Sequence, residues 1–339
     1  MVRFSARDAE ITAEIARVGT LPGEAAERAE ALLAPIRRLI SYDAAFIHLY
    51  DPDRSLQVPL LHEGYDEQVG RYMTTPEFTA DVDGAGGQGH RPFRLKDLSQ
   101  HWSEIPLWAD YLSPAGFREG IGVPLRTASG SYLGFLGVTT VESRPPAPSV
   151  RDRLGALASL IAQAVDPLRS LTARASLVAG ATAAVVLTRA GRTSPLPGLP
   201  GHRLLTEGSP VLAAAEAQLA EGHEHSVFLA PDGEAAAPPS VLRVTVLSCP
   251  RQPPGHLYGL VLLSPPPELH GLTRRELELC GHLVRGASNA EIAAALAITP
   301  RTVAAHLEHV FAKLGVSSRS MAAVRVLRQG LHLPPQVVA

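Results

Sequence analysis

The chain has 339 residues, 45% of them hydrophobic and 19% charged, and a formal net charge of −2 at pH 7. These values exclude a wholly disordered chain, and the length suits two or three domains. No apolar run reaches the roughly 18 residues that a membrane helix needs, and the charged N-terminal stretch has no apolar core of signal-peptide length, so a cytoplasmic protein with no membrane partner is expected. Cys249 and Cys280 have no paired spacing for a disulfide or a metal, and both are expected to be buried small hydrophobes.

In chain order, apolar periodicity predicts helices near Ala6 to Val18 and Glu24 to Ile40, then a hairpin of strands Ala44 to Tyr50 and Leu56 to His62 around the turn Asp51 to Arg54. Helical patches follow around Tyr65 to Tyr72 and Ser103 to Tyr111. A second hairpin, Gly120 to Arg126 with Tyr132 to Val141, leads into a long helix from about Val150 to Leu171. Helix, hairpin, helical insert, hairpin and helix is the order of a GAF domain, and the stretch resembles the GAF-like sensory modules found ahead of DNA-binding domains in bacterial regulators. That resemblance implies a small-molecule pocket between insert and sheet, which makes Tyr65, Tyr72, Trp102, Trp108, Tyr111 and Phe117, together with Phe78, candidate pocket residues. The competing reading is that these aromatics form a small core beneath the insert. Asp81, Asp83 and the glycine-rich run through residue 89 read as a loop in preference to an anion cradle. His48, His62, His90 and His101 lack metal-ligand spacing, so no metal and no cofactor is expected.

On the long helix, Leu154, Leu157, Ile161, Ala164, Leu168 and Leu171 recur at three- and four-residue steps. Such a stripe suits either a parallel dimer seam or packing against the protein's own sheet, and Pro167 interrupts it in both cases. Residues 177–263 then carry strands Ala183 to Thr188, Ser226 to Leu229, Val241 to Ser248 and Leu257 to Leu263, plus a helix Ser209 to Ala220. This order resembles a reduced PAS-like module, either a second sensor or a structural relay.

Ser264 and Pro265 to Pro267 mark a linker. Beyond it, Thr273 with Glu276 and Ser288 with Glu291 form two capping boxes, and Thr299 with Pro300 opens a third helix ended by Gly315. Only Leu296, Ala297 and Ile298 separate the second and third helices, the turn of a helix-turn-helix whose second helix enters the major groove. Leu272, Thr273, Arg275, Glu276, Gly286, Ser288, Asn289, Glu291, Ile292, Thr302, Val303, His306, Lys313, Leu314, Gly315 and Arg319 match the pattern of the LuxR-type DNA-binding domain, which this segment resembles. The resemblance implies base reading by the third helix and phosphate holding at helix N-termini. It places Thr302, Ala305, His306 and His309 toward the groove, and Thr273, Arg275, Ser288, Asn289, Thr299, Arg301, Lys313 and Arg319 toward the backbone. Ala290 and Ala304 stand where that family usually has lysine, so weaker phosphate attraction and reliance on dimerisation or an effector are expected.

Between Gly271 and Gly330 eight basic residues face four acidic ones, so the electrostatic footprint for double-stranded DNA lies in the last sixty residues of an otherwise acidic chain. The only lysines are Lys96 and Lys313, and no phosphate-binding loop is present, which excludes ATP-driven relatives. The expected architecture is multidomain: an α/β GAF-like domain over 1–172, a smaller α/β PAS-like module over 173–264 and an all-α four-helix helix-turn-helix domain over 265–339. The expected function is a homodimeric, sequence-specific bacterial transcription regulator with an unidentified small-molecule effector. The alternatives are an adaptor that binds a protein through the GAF-like surface and, with no nucleophile elbow or metal-binding helix to support it, a small-molecule-modifying enzyme.

Overall fold

In the computed structural model, which describes residues 6–233 and 240–338, the chain divides into two compact units: residues 1–170 with 252–256, and residues 171–251 with 257–339. The first is built on a five-stranded antiparallel sheet. Its strands are β1 (Ala44–Asp51), β2 (Leu56–Glu63), β3 (Phe93–Arg94), β4 (Glu119–Arg126) and β5 (Tyr132–Thr140), in the order β2-β1-β5-β4-β3. Successive side chains of a strand point to opposite faces, and here both faces are apolar. Ala45, Ile47 and Leu49 of β1, Ile121, Val123 and Leu125 of β4, and Leu136 and Val138 of β5 share one core with three helices, α1 (Ala6–Val18), α2 (Ala25–Leu39) and the later α5 (Pro148–Val165). The alternate residues Ala44, Phe46 and Phe135 belong to a second core beneath the insert.

The stripe on the long helix is settled by this packing. Leu154, Leu157, Ile161 and Ala164 are fully buried in the unit's own sheet-and-helix core, so they form no seam for a second chain. At Asp166 the helix breaks, and Pro167 starts α6 (Pro167–Ser176), as its missing N–H and fixed φ require. Arg28, itself buried, donates from Nε to the Ala164 carbonyl at 2.6 Å and from Nη1 to the Gly23 carbonyl at 2.6 Å, which ties α2 to the open end of α5.

The insert holds α3 (Glu67–Tyr72) and α4 (Pro76–Gly84), then a π-helical turn at Leu107–Leu112. α4 begins on a Thr75 cap that accepts from the Phe78 N–H with Pro76 in the first turn, and it absorbs part of the segment read from sequence as a glycine-rich loop.

The second unit carries β6 (Ala183–Thr188), β7 (Thr193–Pro195), α7 (Pro210–Ala220), β8 (His225–Pro231), β9 (Val241–Ser248) and β10 (Leu257–Ser264), the sheet running β7-β6-β10-β9-β8 with every pairing antiparallel. α7 buries Val211, Leu212, Ala215 and Leu219 against Val185, Phe228, Val244 and Val261. Five C-terminal helices follow: α8 (Arg274–Val284), α9 (Asn289–Leu296), α10 (Pro300–Leu314), α11 (Arg319–Gln329) and the single turn α12 (Pro335–Val338). They do not hang from the proline segment as a separate bead. Leu229 of β8 and Val241 of β9 share a core with Leu277 and Cys280 of α8, Val310 and Leu314 of α10, Val326 of α11, and Leu331 and Leu333 of the tail.

That tail runs beside the edge strand. The Leu229 N–H donates to the His332 carbonyl at 2.8 Å, and the Leu333 N–H donates to the Leu277 carbonyl at 3.1 Å. Gly281 on α8 is required for this approach, because a Cβ there would collide with the Leu333 carbonyl. Both cysteines are buried, and burial pushes the Cys280 thiol up to about 12 and Cys249 to about 11, which keeps both protonated.

His332 generates an expectation. Its Nδ1 is buried without a hydrogen-bond partner among the described residues, and burial drives its imidazole down to about 4, whereas an unfolded chain titrates near the ordinary value of about 6.5. The unfolded state therefore binds a proton that the fold refuses: the stabilisation is complete above about pH 6.5 and is lost as pH falls toward 4, by roughly 3 kcal/mol for the full shift. Urea midpoints measured between pH 7 and pH 4 are expected to fall less steeply for His332→Leu than for the parent. An equal slope would assign the acid sensitivity to other groups.

Candidate functional site

The C-terminal helices are held by the capping chemistry their sequence encodes. Thr273 accepts from the Glu276 N–H, and the Glu276 carboxylate accepts from the Thr273 N–H at 2.7 Å. Ser288 and Glu291 repeat the arrangement for α9, the Ser288 N–H donating to Glu291 Oε2 at 2.6 Å. Thr299 caps α10 by accepting from the Thr302 N–H at 3.1 Å. α9 closes with the Ile298 N–H donating to the Ala293 carbonyl at 3.0 Å, a Schellman arrangement centred on Ala297, which is left-handed at φ 52°. α10 ends the same way on Gly315.

α10 buries Val303, Leu307, Val310 and Leu314 and turns the opposite side outward. Arg301, Ala305 and His309 are exposed on it, with Thr302 and His306 half-buried beside them. Five of the residues expected to meet DNA thus stand on one helix face, with Thr299, Ser288 and Asn289 at the N-termini of α10 and α9.

The remaining expected cations are placed otherwise. Lys313 Nζ donates to both oxygens of the buried Glu276, at 2.9 and 2.6 Å. Burial alone would push that carboxyl up, but the Lys313 ammonium and the Thr273 N–H outweigh it and hold Glu276 below its ordinary value. Arg275 donates to Glu278 at 2.9 Å and to the Leu296 carbonyl, so it brackets α8 to the turn. Arg319 donates to Asn289 Oδ1 at 2.9 Å and to the Ala287 carbonyl, bracketing α11 to the start of α9. Thr273 is likewise engaged with Glu276. Arg301, in contrast, makes no ion pair among the described residues. Sequence reasoning missed these brackets because the carbonyl acceptors at Leu296 and Ala287 carry no side-chain signal.

In the first unit an apolar cavity of about 60 Å³ lies between insert and sheet, walled by Phe46, Phe93, Phe135, Ile105, Leu107 and Trp108 among others. Of the aromatics expected at a pocket, Trp108 alone lines it. Tyr72 and Tyr111 stack on each other at 3.9 Å, Tyr65 and Phe117 pack at 5.5 Å, and Phe78 is fully buried in the adjoining core. Trp102 is 39% exposed and lies outside the cavity. Gly122 and Gly137 let the rings that wall the cavity come down onto the sheet, since a Cβ on either would strike Phe93, Phe135 or Phe46. Asp81, read from sequence beside the loop, accepts at Oδ2 from the Tyr72 hydroxyl and the Leu107 N–H, each at 2.7 Å, and so pins α4 to α3 and to the π-helical turn.

His48 and His62 meet across the first hairpin, Nε2 to Nε2 at 2.6 Å, and burial lowers both imidazoles, His48 well below its ordinary value. One nitrogen must donate and the other accept, and burial disfavours a charge on either ring. Among the described residues no group of three or more His, Cys, Asp or Glu side chains gathers as metal ligands.

Residues 24–165 match the GAF domain, and residues 270–326 match the bacterial regulatory proteins of the luxR family. The chain is 44% identical over 59 residues to the spore germination protein GerE of Bacillus subtilis, an alignment covering 17% of this chain and 80% of GerE. It is 39% identical over 77 residues to the transcriptional regulatory protein LnrK of the same organism, covering 23% of this chain and 35% of LnrK. Matches with the uncharacterized transcriptional regulatory protein YhcZ of Bacillus subtilis and the probable transcriptional regulatory protein SgaR of Hyphomicrobium methylovorum span 28% and 40% of their lengths, so the chain covers less than half of such relatives. The crystal structure of Escherichia coli SdiA aligns over 96% of this chain and 98% of that one at 16% identity and a TM-score of 0.35.

Ala297 carries a measurable strain. A left-handed alanine costs roughly 1 kcal/mol that glycine does not incur, and Ala297 is exposed with no side-chain packing to lose. Ala297→Gly is therefore expected to raise stability by about 0.5–1 kcal/mol, read as a higher midpoint in thermal unfolding. A lower midpoint would show that the Cβ supports the turn.

Proposed function

Because the chain belongs to the LuxR family of bacterial regulatory proteins, we propose that it is a cytoplasmic transcription regulator that docks α10 in the major groove of operator DNA, while its GAF domain senses a small molecule. One observation carries the reading: the outward face of α10, presenting Arg301, Thr302, Ala305, His306 and His309 ahead of two capped helix N-termini. Thr302, His306 and His309 supply hydrogen-bonding groups for base edges, and Ala305 supplies an apolar contact suited to a thymine methyl. The N-termini of α9 and α10, at Ser288, Asn289 and Thr299, offer backbone N–H groups to phosphate. Arg301 is the cation that meets the backbone. Arg275, Lys313 and Arg319, which the family resemblance alone would send to phosphates, are assigned here to holding the helices in register through their internal partners. No helix among the described residues is long and apolar enough to cross a membrane.

Fluorescence-anisotropy titration on DNA selected from genomic fragments tests the assignment. Arg301→Ala is expected to weaken binding uniformly across sequences and to reduce the slope of log K against log salt by about 1. His306→Ala is expected to change preference between sites while leaving the salt slope unaltered. Unchanged affinity in both variants would remove α10 from the interface.

We further propose a homodimer through α11. Its outer face exposes Met321 at 53%, Val324 at 55% and Leu327 at 58%, a three-residue rhythm that places them along one side of the helix. Two copies joined there would present two α10 helices to half-sites about one turn of DNA apart, roughly 34 Å. Val324→Glu is expected to convert the dimer to monomer in sedimentation and to lower operator affinity at least tenfold, with unfolding unaffected because the side chain is exposed. A dimer that persists with Val324→Glu would move the interface elsewhere.

A further inference from the structure

The cavity of the GAF domain has an almost wholly apolar lining. Its wall contains three side chains with polar atoms: Asp81, Thr139 and Trp108. Asp81 holds the Tyr72 hydroxyl and the Leu107 N–H, both at Oδ2. Thr139 Oγ1 is bonded to the Tyr65 hydroxyl at 3.0 Å, and burial raises that phenol above its ordinary value. Trp108 packs a ring carbon, Cζ2, against Gly120, 3.1 Å from where a Cβ would stand, beside the Val138 carbonyl oxygen at 3.0 Å. Elsewhere the lining is carbon: aromatic rings over Gly122 and Gly137, and leucine, isoleucine and valine side chains between them.

A charged or strongly hydrogen-bonding guest would leave its water and find no exchange for it there. The cost of burying a polar group without a partner runs to several kcal/mol, and far more for an ion. A carboxylate, a phosphate or a cyclic nucleotide is therefore refused by the same wall that favours hydrocarbon. Size narrows the class further. At about 60 Å³ the cavity exceeds the ~10–15 Å³ that one water needs, and is smaller than the roughly 150 Å³ of an engineered apolar cavity that takes benzene. Leu95 and Leu98, which are half-buried at the wall, can give where the fully buried residues cannot.

From this we infer that the GAF domain of this chain takes an uncharged, apolar molecule of at most a single small ring, recognised by shape and desolvation and not by a polar anchor. The inference rests on the sensory reading above. It adds the chemical class of the effector and makes Asp81 and Thr139 positioning residues of the wall in place of ligand contacts.

The test uses the full chain. Cyclopentane, benzene and toluene are titrated against acetate, inorganic phosphate and cyclic GMP, with the thermal midpoint as readout. The hydrocarbons are expected to raise the midpoint in a saturable way, as ligands that bind only the folded state do, and the charged compounds to leave it unmoved. Ala85→Leu and Leu98→Trp add carbon at wall positions that are only half-buried, so that the fold tolerates them, which circular dichroism verifies. Each is expected to weaken hydrocarbon binding by roughly tenfold or more. Absence of a saturable hydrocarbon response, or hydrocarbon binding that neither variant weakens, overturns the inference. Saturable binding of a charged compound that the two variants abolish overturns the ligand class while leaving the sensory role standing. Operator affinity that neither variant nor any of the six compounds alters overturns the sensory role itself.

Discussion

A strand that is apolar on both sides is stable only inside a sheet covered on both sides, and the first unit of this chain meets that constraint. In β1 the residues Ala45, Ile47 and Leu49 alternate with Ala44, Phe46 and His48, and all six are buried. The first set is covered by α1, α2 and α5. The second has no long helix above it, and a string of short turns does the work: α3, α4 and the π-helical turn. Short elements cannot interdigitate as evenly as helices, so they seal the sheet at their aromatic contacts and leave a gap beside the rings that rest on Gly122 and Gly137. The cavity is thus a by-product of how the second face is closed.

The DNA-reading helices obey a different economy. A phosphate-facing cation must be free, yet a bundle this small needs its cations to tie helices together. Glu276 illustrates the competition: capping α8 places a carboxylate in the interior, and a buried carboxylate demands a partner, which Lys313 supplies from α10. Arg275 and Arg319 are drawn inward by carbonyls at helix ends that lack intrahelical partners. The formal charges left on the outside of α10 besides Lys313 are Arg301 and Glu308, of opposite sign, so this helix offers DNA little net charge of its own.

Much of this was legible in the chain before any coordinates. Capping boxes announce themselves by residue type at fixed spacing, so the boundaries of α8, α9 and α10 follow from Thr273, Ser288 and Thr299. Short apolar runs bounded by turn residues likewise located both hairpins of the first unit and the four longer strands of the second. α4 carried the same kind of signal in Thr75 and Pro76, but the glycines after it suggested a loop. The stripe on α5 was ambiguous for a physical reason: apolar residues at three- and four-residue steps fit a partner helix and a sheet equally well, and only the position of β1, β4 and β5 decides between them. The internal roles of Arg275 and Arg319 were hidden more deeply, since their partners are backbone carbonyls brought near by the fold. The aromatic set shows the same limit, with composition marking the second core and Asp81 but not which rings face the gap.

The tail beside β8 has a consequence for how this protein avoids its own kind. β8 is the outermost strand of its sheet, and an uncovered outer strand is a template for any extended segment that meets it. Here Leu229 is already engaged by the His332 carbonyl, Pro231 offers no N–H, and Gly330 lets the chain turn in against Val227. Residues 330–333 therefore act as a built-in competitor for that edge. Were they lost or pulled away, Leu229 and Val241 would lose their cover at the same moment as the strand became available, so polymerisation of the chain through its own sheets, and not simple loss of DNA binding, is the failure that this corner of the molecule guards against.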